Sequence, residues 1–138
     1  MKLGGMPACE TPEPFVDVDD IAEVAVAALT ESGHSGEIYE VTGPRLMTFA
    51  DIASDLSVAT GQEIVYTRIS HDAFAAGIAE SGAPRDVAWL LDYLFATVLD
   101  GRNSYLTDGI QRALGRNPKD FTEYASAVAA SGAWREVA

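Results

Sequence analysis

The stretch that decides the fold spans residues 14–24 and reads Pro14-Phe15-Val16-Asp17-Val18-Asp19-Asp20-Ile21-Ala22-Glu23-Val24. In it, a short apolar run is followed by Asp19 and Asp20, which supply the cap oxygen and negative charge that the first amides of a helix favour. Apolar residues then recur at the spacing of one helical face, at Ile21, Val24, Ala25, Ala28 and Leu29. The stretch therefore predicts an extended segment that leads directly into an amphipathic helix, which Gly33 and Gly36 end.

Downstream, the sequence predicts two short strands with a helix between them, and further helices after the second strand. The strands are expected at residues 37–41, closed by Gly43-Pro44, and at residues 64–69. Thr48 and Asp51 have the spacing of a capping box at the start of the intervening helix. Later helices are predicted from Ser70 to Gly82 and over residues 86–99, 108–114 and 120–130.

This order predicts an incomplete α/β fold. Two strands separated by a helix form a right-handed βαβ unit if they are parallel, but so small a sheet has open edges. The expected class is α/β, a mostly helical α+β fragment with a small parallel sheet of two to three strands and five to six helices. Residues 1–14 carry three prolines and predict an extended arm, and residues 15–138 predict a single domain. The chain looks like part of a larger protein or one that pairs with a second copy.

Composition excludes several classes of partner. The 138 residues include 9 basic and 21 acidic side chains, a net charge of −12, so the chain would repel nucleic acid. No stretch approaches the roughly 20 apolar residues of a membrane span, and the first residues lack the apolar core of a signal peptide. Cys9 is the single cysteine and cannot form an internal disulfide. We therefore expect a cytoplasmic protein.

Four segments, in this order and spacing, resemble the NmrA-like branch of the atypical short-chain dehydrogenase/reductase family, within the NAD(P)-binding Rossmann-fold superfamily. They span most of the chain. The segments are Pro14–Val24, Gly36-Glu37-Ile38-Tyr39-Glu40-Val41-Thr42-Gly43-Pro44, Thr48-Phe49-Ala50-Asp51-Ile52-Ala53 and Leu114-Gly115-Arg116-Asn117-Pro118-Lys119-Asp120-Phe121.

The resemblance implies that only the C-terminal, substrate-binding part of a typical member is present. The family binds NADP or NAD through a glycine-rich loop between a strand and a helix, and no such motif occurs here. The nearest run, Gly33-His34-Ser35-Gly36, follows a helix and precedes a predicted strand, which is the reverse order. The superfamily's Tyr-x-x-x-Lys pair is also missing. We therefore expect neither a bound cofactor nor a catalytic residue in this chain alone.

The resemblance places a substrate pocket near Phe15, the Gly43-Pro44 turn and the apolar helix that carries Trp89 and Tyr93. The alternative for the two helix aromatics is ordinary core packing, which is common at helical spacing.

Other polar residues receive no catalytic or metal-binding role. Asp17, Asp19 and Asp20 could hold a hard cation, but helix capping is the preferred interpretation. His34 and His71 have no second histidine or cysteine nearby in sequence, so neither is interpreted as a metal ligand or general base. Nothing in the proline-rich arm would activate Cys9 as a nucleophile.

Three hypotheses for function follow. The first is a truncated NmrA-like protein that does not catalyse hydride transfer and binds a small apolar molecule or a protein partner. It would form a homodimer by edge pairing or by exchange of the arm. The second is the substrate-binding part of an NAD(P)-dependent oxidoreductase or redox sensor whose first half lies elsewhere. The third is a purely structural interaction module without a ligand.

Overall fold

A computed structural model of the chain describes residues 2–7 and 10–134. Within them lie two strands, six α-helices and a π-helical turn, which confirms the expected mixed α/β class. The strands are β1 (Lys2–Pro7) and β2 (Val65–Ile69). The helices are α1 (Val18–Thr30), α2 (Phe49–Thr60), α3 (His71–Glu80), α4 (Arg85–Tyr93), α5 (Gly109–Leu114) and α6 (Phe121–Ser131), and the π-helical turn is Leu94–Val98.

The two strands form a parallel sheet in which Lys2 is opposite Val65 and Pro7 is opposite Ile69. Residues 2–7, part of the expected extended arm, thus form a strand that no sequence pattern predicted. The strand predicted at residues 37–41 is wrong, because no described strand lies beside that segment to complete a ladder. Its carbonyl groups accept bonds from side chains instead, Ile38 O from Arg112 and Glu40 O from Thr107.

Helix boundaries largely follow the local signals. Thr48 and Asp51 form the expected capping box at the start of α2, and Ser70 caps α3. The first helix differs, because Asp17 rather than Asp19 or Asp20 is its N-cap and accepts a 2.8 Å bond from the Asp19 amide. The helix predicted over residues 86–99 ends as an α-helix at Tyr93 and continues as the π-helical turn.

The described chain divides into two compact units. The first contains the residues up to Glu13 together with Met47–Ser104, and the second contains Pro14–Leu46 and the residues from Tyr105 onwards. That residues 15–138 form a single domain stays a prediction. The first unit buries Met47, Ile52, Ala53 and Ile64, and the second buries Val24, Ala27, Ile110 and Ala125. Among the described helices, none has both the length and the apolar character needed to cross a bilayer.

Candidate functional site

The second unit contains an apolar pocket around Phe15, which we call the Phe15 pocket. Its volume is about 200 Å³, and most of its exposed lining is apolar. The charged groups of its lining are one acidic and one basic side chain. The lining residues are Phe15, Val16, Asp17, Val18, Lys119, Phe121 and Tyr124. A small apolar pocket with few polar groups is the usual form of a small-molecule site.

Close backbone packing against Gly43 positions Phe15. The Gly43 amide donates a 3.3 Å hydrogen bond to the Pro14 carbonyl oxygen. A Cβ atom added to Gly43 would lie 1.8 Å from the carbonyl oxygen of Phe15, so only glycine fits at this position. The structure thus brings Phe15 and Gly43 together, with Pro44 exposed beside them.

Lys119 is the basic group of the Phe15 pocket. Its Nζ lies 3.4 Å from Asp17 Oδ1 and 3.5 Å from Asp19 Oδ2. Burial disfavours the charged form of Lys119, but the carboxylates of Asp17 and Asp19 outweigh it and raise the pKa of the lysine. The pocket therefore offers a charged ammonium group beside aromatic walls.

A buried ion pair holds the segment that carries Lys119 against α1. The fully buried Asp20 carboxylate accepts 2.7 Å bonds from Arg116 Nη2 and from the Lys119 amide. Arg116 Nη2 also lies 2.6 Å from Glu23, and hydrogen bonds from Glu23 and Asp20 raise the pKa of Arg116. The carboxylates that the sequence offered as a metal-site alternative thus face cationic side chains of the same unit.

Sequence reasoning gave no role to Arg116 or Lys119. Both lie in the Leu114–Phe121 segment that carried the family resemblance, which is the signal that could have drawn attention to them. Their partners on α1 are almost 100 residues earlier in the chain, at a separation of 96 for the pair formed by Asp20 and Arg116. No pattern of neighbouring residues in the sequence predicts a pairing over such a separation.

Trp89 and Tyr93 lie on α4 in the first unit. Their rings stack with centroids 5.5 Å apart and planes inclined by 10°. Within this structure Trp89 is 64% exposed and Tyr93 is 44% exposed, so neither is a core residue of its unit. The pair presents an open aromatic surface rather than the packed core of the alternative interpretation.

Among residues 2–7 and 10–134 no glycine-rich loop joins a strand to a helix. A pyrophosphate needs glycines between a strand and a helix so that backbone amides can approach it. Between β2 and α3 the chain has only Ser70, whose side chain accepts a bond from the Ala73 amide. Gly33 and Gly36, the nearest glycine-rich run, follow α1 and precede irregular chain.

Comparisons with known proteins identify what this architecture resembles. No family model matches the chain. The NAD(P)H azoreductase of Xenophilus azovorans is 33% identical over 126 residues, which cover 91% of this chain and 44% of that protein. The uncharacterized oxidoreductase YesF of Bacillus subtilis is 31% identical over 116 residues, covering 84% and 41%.

Solved structures show the same fold. An NADPH-dependent quinone oxidoreductase from Escherichia coli, complexed with NADPH, superposes with a TM-score of 0.77 at 22% identity, covering 90% of this chain and 44% of that one. A Citrobacter triphenylmethane reductase complexed with NADP(H) gives a TM-score of 0.75 at 22% identity, covering 91% and 44%. The chain thus spans less than half the length of these relatives, in their C-terminal part. It therefore matches the C-terminal part of the NmrA-like, NAD(P)-binding reductases.

Proposed function

We propose that this chain is the acceptor-binding part of an NAD(P)H-dependent reductase and that the Phe15 pocket binds an apolar portion of the acceptor. The observation that carries the proposal is the match of 91% of the chain to the C-terminal part of an NAD(P)H azoreductase. The pocket adds a place for a ligand inside one unit of the chain. We propose that Gly43 and Pro44 support the pocket by holding the Phe15 segment in place. Trp89 and Tyr93 would offer a second aromatic surface for ligand contact.

The acceptor class that we propose is a planar, conjugated molecule. Phe15, Phe121 and Tyr124 provide aromatic walls, against which a flat ring system gains both apolar burial and stacking. The names of the relatives refer to azo compounds, quinones and triphenylmethane dyes, all of them conjugated. Lys119 would sit beside an electronegative atom of such a ligand.

Hydride transfer by this chain requires a second segment that binds NAD(P)H. The described residues lack a phosphate-binding loop, and several large apolar side chains remain exposed, among them Leu29, Ile38 and Val58, each more than four-fifths exposed. Exposed apolar side chains, present in each unit, are typical of residues that contact a partner. We propose that the cofactor-binding half of a reductase covers some of these side chains.

The first experiment titrates the purified chain with NADPH and follows the fluorescence of the cofactor. The same titration is run on a chimera in which the N-terminal part of the Xenophilus azovorans azoreductase precedes this chain. We expect no saturable binding to the chain alone, and both binding and dye-dependent NADPH oxidation by the chimera. Micromolar binding to the chain alone would contradict the requirement for a second half. A folded chimera that binds NADPH but reduces neither an azo dye nor a quinone would contradict the proposed activity.

The pocket itself is tested by Phe15→Ala in the chimera. Loss of one aromatic wall should raise KM for a dye by about 10- to 150-fold, because burying a Phe side chain contributes about 1.5–3 kcal/mol. Val26→Ala is the matched control, since Val26 is exposed on α1 and does not line the Phe15 pocket. An unchanged KM in the Phe15→Ala chimera would show that the acceptor binds elsewhere.

Self-association without catalysis is the second candidate. The two-stranded sheet and the exposed apolar side chains favour it, because a second copy could cover both. We propose a homodimer in the cytoplasm, formed by edge pairing or by exchange of the N-terminal arm. Light scattering of the chain after size-exclusion chromatography tests the homodimer. A monomer at about 100 μM, well above a micromolar dissociation constant, would contradict it.

A further inference from the structure

A second cleft lies in the first unit, where the parallel strands end. Its lining comes from the carboxyl ends of β1 and β2, the start of α3 and the π-helical turn. Its volume is about 680 Å³, within the range of small-molecule sites. The lining residues are Pro7, Arg68, Ile69, Ser70, His71, Phe95 and Ala96. In open parallel sheets ligands bind at the carboxyl ends of the strands.

The cleft contains an oriented imidazole. His71 Nε2 lies 2.7 Å from Asp92 Oδ1, and both side chains are partly exposed. Because Nε2 faces the carboxylate, Asp92 orients the ring, and in the neutral imidazole Nδ1 is then the nitrogen that can accept a hydrogen bond. No sequence pattern predicts this contact, because Asp92 lies on α4, more than 20 residues after His71.

The apolar wall of the cleft is held in place. The Phe95 ring packs edge-on against Phe74, with centroids 4.9 Å apart, and contacts Phe49 at 6.1 Å. At the end of β1, the Tyr66 hydroxyl donates a 3.0 Å bond to the Pro7 carbonyl oxygen. Phe95 also belongs to the π-helical turn, a distortion that is frequent at functional sites.

The charges around the cleft are paired. Arg68 Nη1 lies 2.6 Å from Glu10 Oε1, and His71 faces Asp92. A free anion or cation would therefore meet both signs of charge. A neutral molecule with an aromatic body and one hydrogen-bonding oxygen suits the cleft better, because its ring packs on Phe95 while its oxygen meets His71.

We propose that this cleft is a binding site for a neutral aromatic molecule that carries a hydroxyl group, with His71 as the hydrogen-bonding anchor and Asp92 as its positioning residue. The site lies in the first unit and is separate in its residues from the Phe15 pocket. It does not depend on the proposed reductase function.

The test uses 1-naphthol as the probe and 1-methylnaphthalene, which has a similar size and no hydroxyl group, as the matched ligand. NMR of the two histidine rings reports the site in the unmodified chain, with His34, which lies in the second unit and contacts Tyr39, as the internal control. We expect 1-naphthol to shift the His71 ring resonances and to leave those of His34 in place. Shifts of His34, or of neither ring at about 1 mM probe, would overturn the proposal.

Calorimetry then measures the contribution of the anchor, on chains that carry Phe15→Ala so that binding in the Phe15 pocket is weakened. His71→Gln should weaken 1-naphthol binding roughly 3- to 10-fold, the range of one net hydrogen bond, whereas His34→Gln should leave it unchanged. Asp92→Asn keeps the shape and should give a smaller loss, and Phe15→Ala should have no effect on this site. Equal affinity for 1-naphthol and 1-methylnaphthalene, or an unchanged affinity in His71→Gln, would refute the anchor. Thermal melts confirm that each variant is folded.

Discussion

The contact between Gly43 and Phe15 allows a stability prediction with an internal control. In Gly43→Ala the new Cβ would lie 1.8 Å from the Phe15 carbonyl oxygen and 2.9 Å from its carbonyl carbon. Both are backbone atoms, so no side-chain rotation relieves the overlap. The Phe15 segment must retreat by more than an ångström, which breaks the 3.3 Å bond from the Gly43 amide to Pro14.

The expected cost is the sum of two effects. Overpacking of this kind costs about 1–3 kcal/mol, and the lost hydrogen bond costs about 0.5–1.5 kcal/mol. We therefore expect Gly43→Ala to lower the free energy of unfolding by roughly 2–4 kcal/mol, a large share of the roughly 5–15 kcal/mol typical of domains. The displaced Phe15 ring should also distort the Phe15 pocket.

Gly77→Ala is the matched control, because it makes the same chemical change where nothing lies within 4 Å. Gly77 is exposed inside α3, so alanine should stabilise the chain by about 0.5–1 kcal/mol through helix propensity. Urea denaturation followed by circular dichroism measures both variants. A Gly43→Ala variant within about 0.5 kcal/mol of the unmodified chain, a difference typical of neutral surface changes, would refute the packing argument.

Three further stability predictions concern single side chains. The Arg45 guanidinium holds the pKa of Asp120 well below its ordinary 3.8, so Asp120→Asn should destabilise the chain at pH 7. In urea denaturation, the loss of unfolding free energy in Asp120→Asn should become smaller as the pH falls below 3.8. Burial, helped by the carboxylate of Asp100, raises the pKa of Glu13 above 4.5, so the charged form of Glu13 opposes folding. Glu13→Gln should therefore stabilise the chain at pH 7 and lose this advantage below pH 4.5. Thermal melts at pH 7 and below pH 4.5 measure the difference. Thr48→Ala removes the side-chain acceptor for the Asp51 amide and should cost about 1 kcal/mol in urea denaturation; no change would contradict the role of the capping box.

Several elements could be predicted from the sequence because their signals are local. A capping side chain and the amide that it accepts from are two or three residues apart, as at Thr48 and Ser70, so the sequence shows both partners side by side. Glycines such as Gly61 and Gly115 end α2 and α5 in the left-handed conformation, as their positions predicted.

The tertiary structure alone decided the pairings between distant residues. Strand β2 pairs with β1 rather than with residues 37–41, because a strand forms where a neighbour offers matching backbone groups, and the alternating pattern does not say which neighbour that is. The Asp20 pair with Arg116 and the His71 contact with Asp92 likewise depend on how helices pack. Helix periodicity and helix caps depend on residues within about four positions of each other, so the sequence shows them directly. Strand partners and ion pairs depend on groups that only folding brings together.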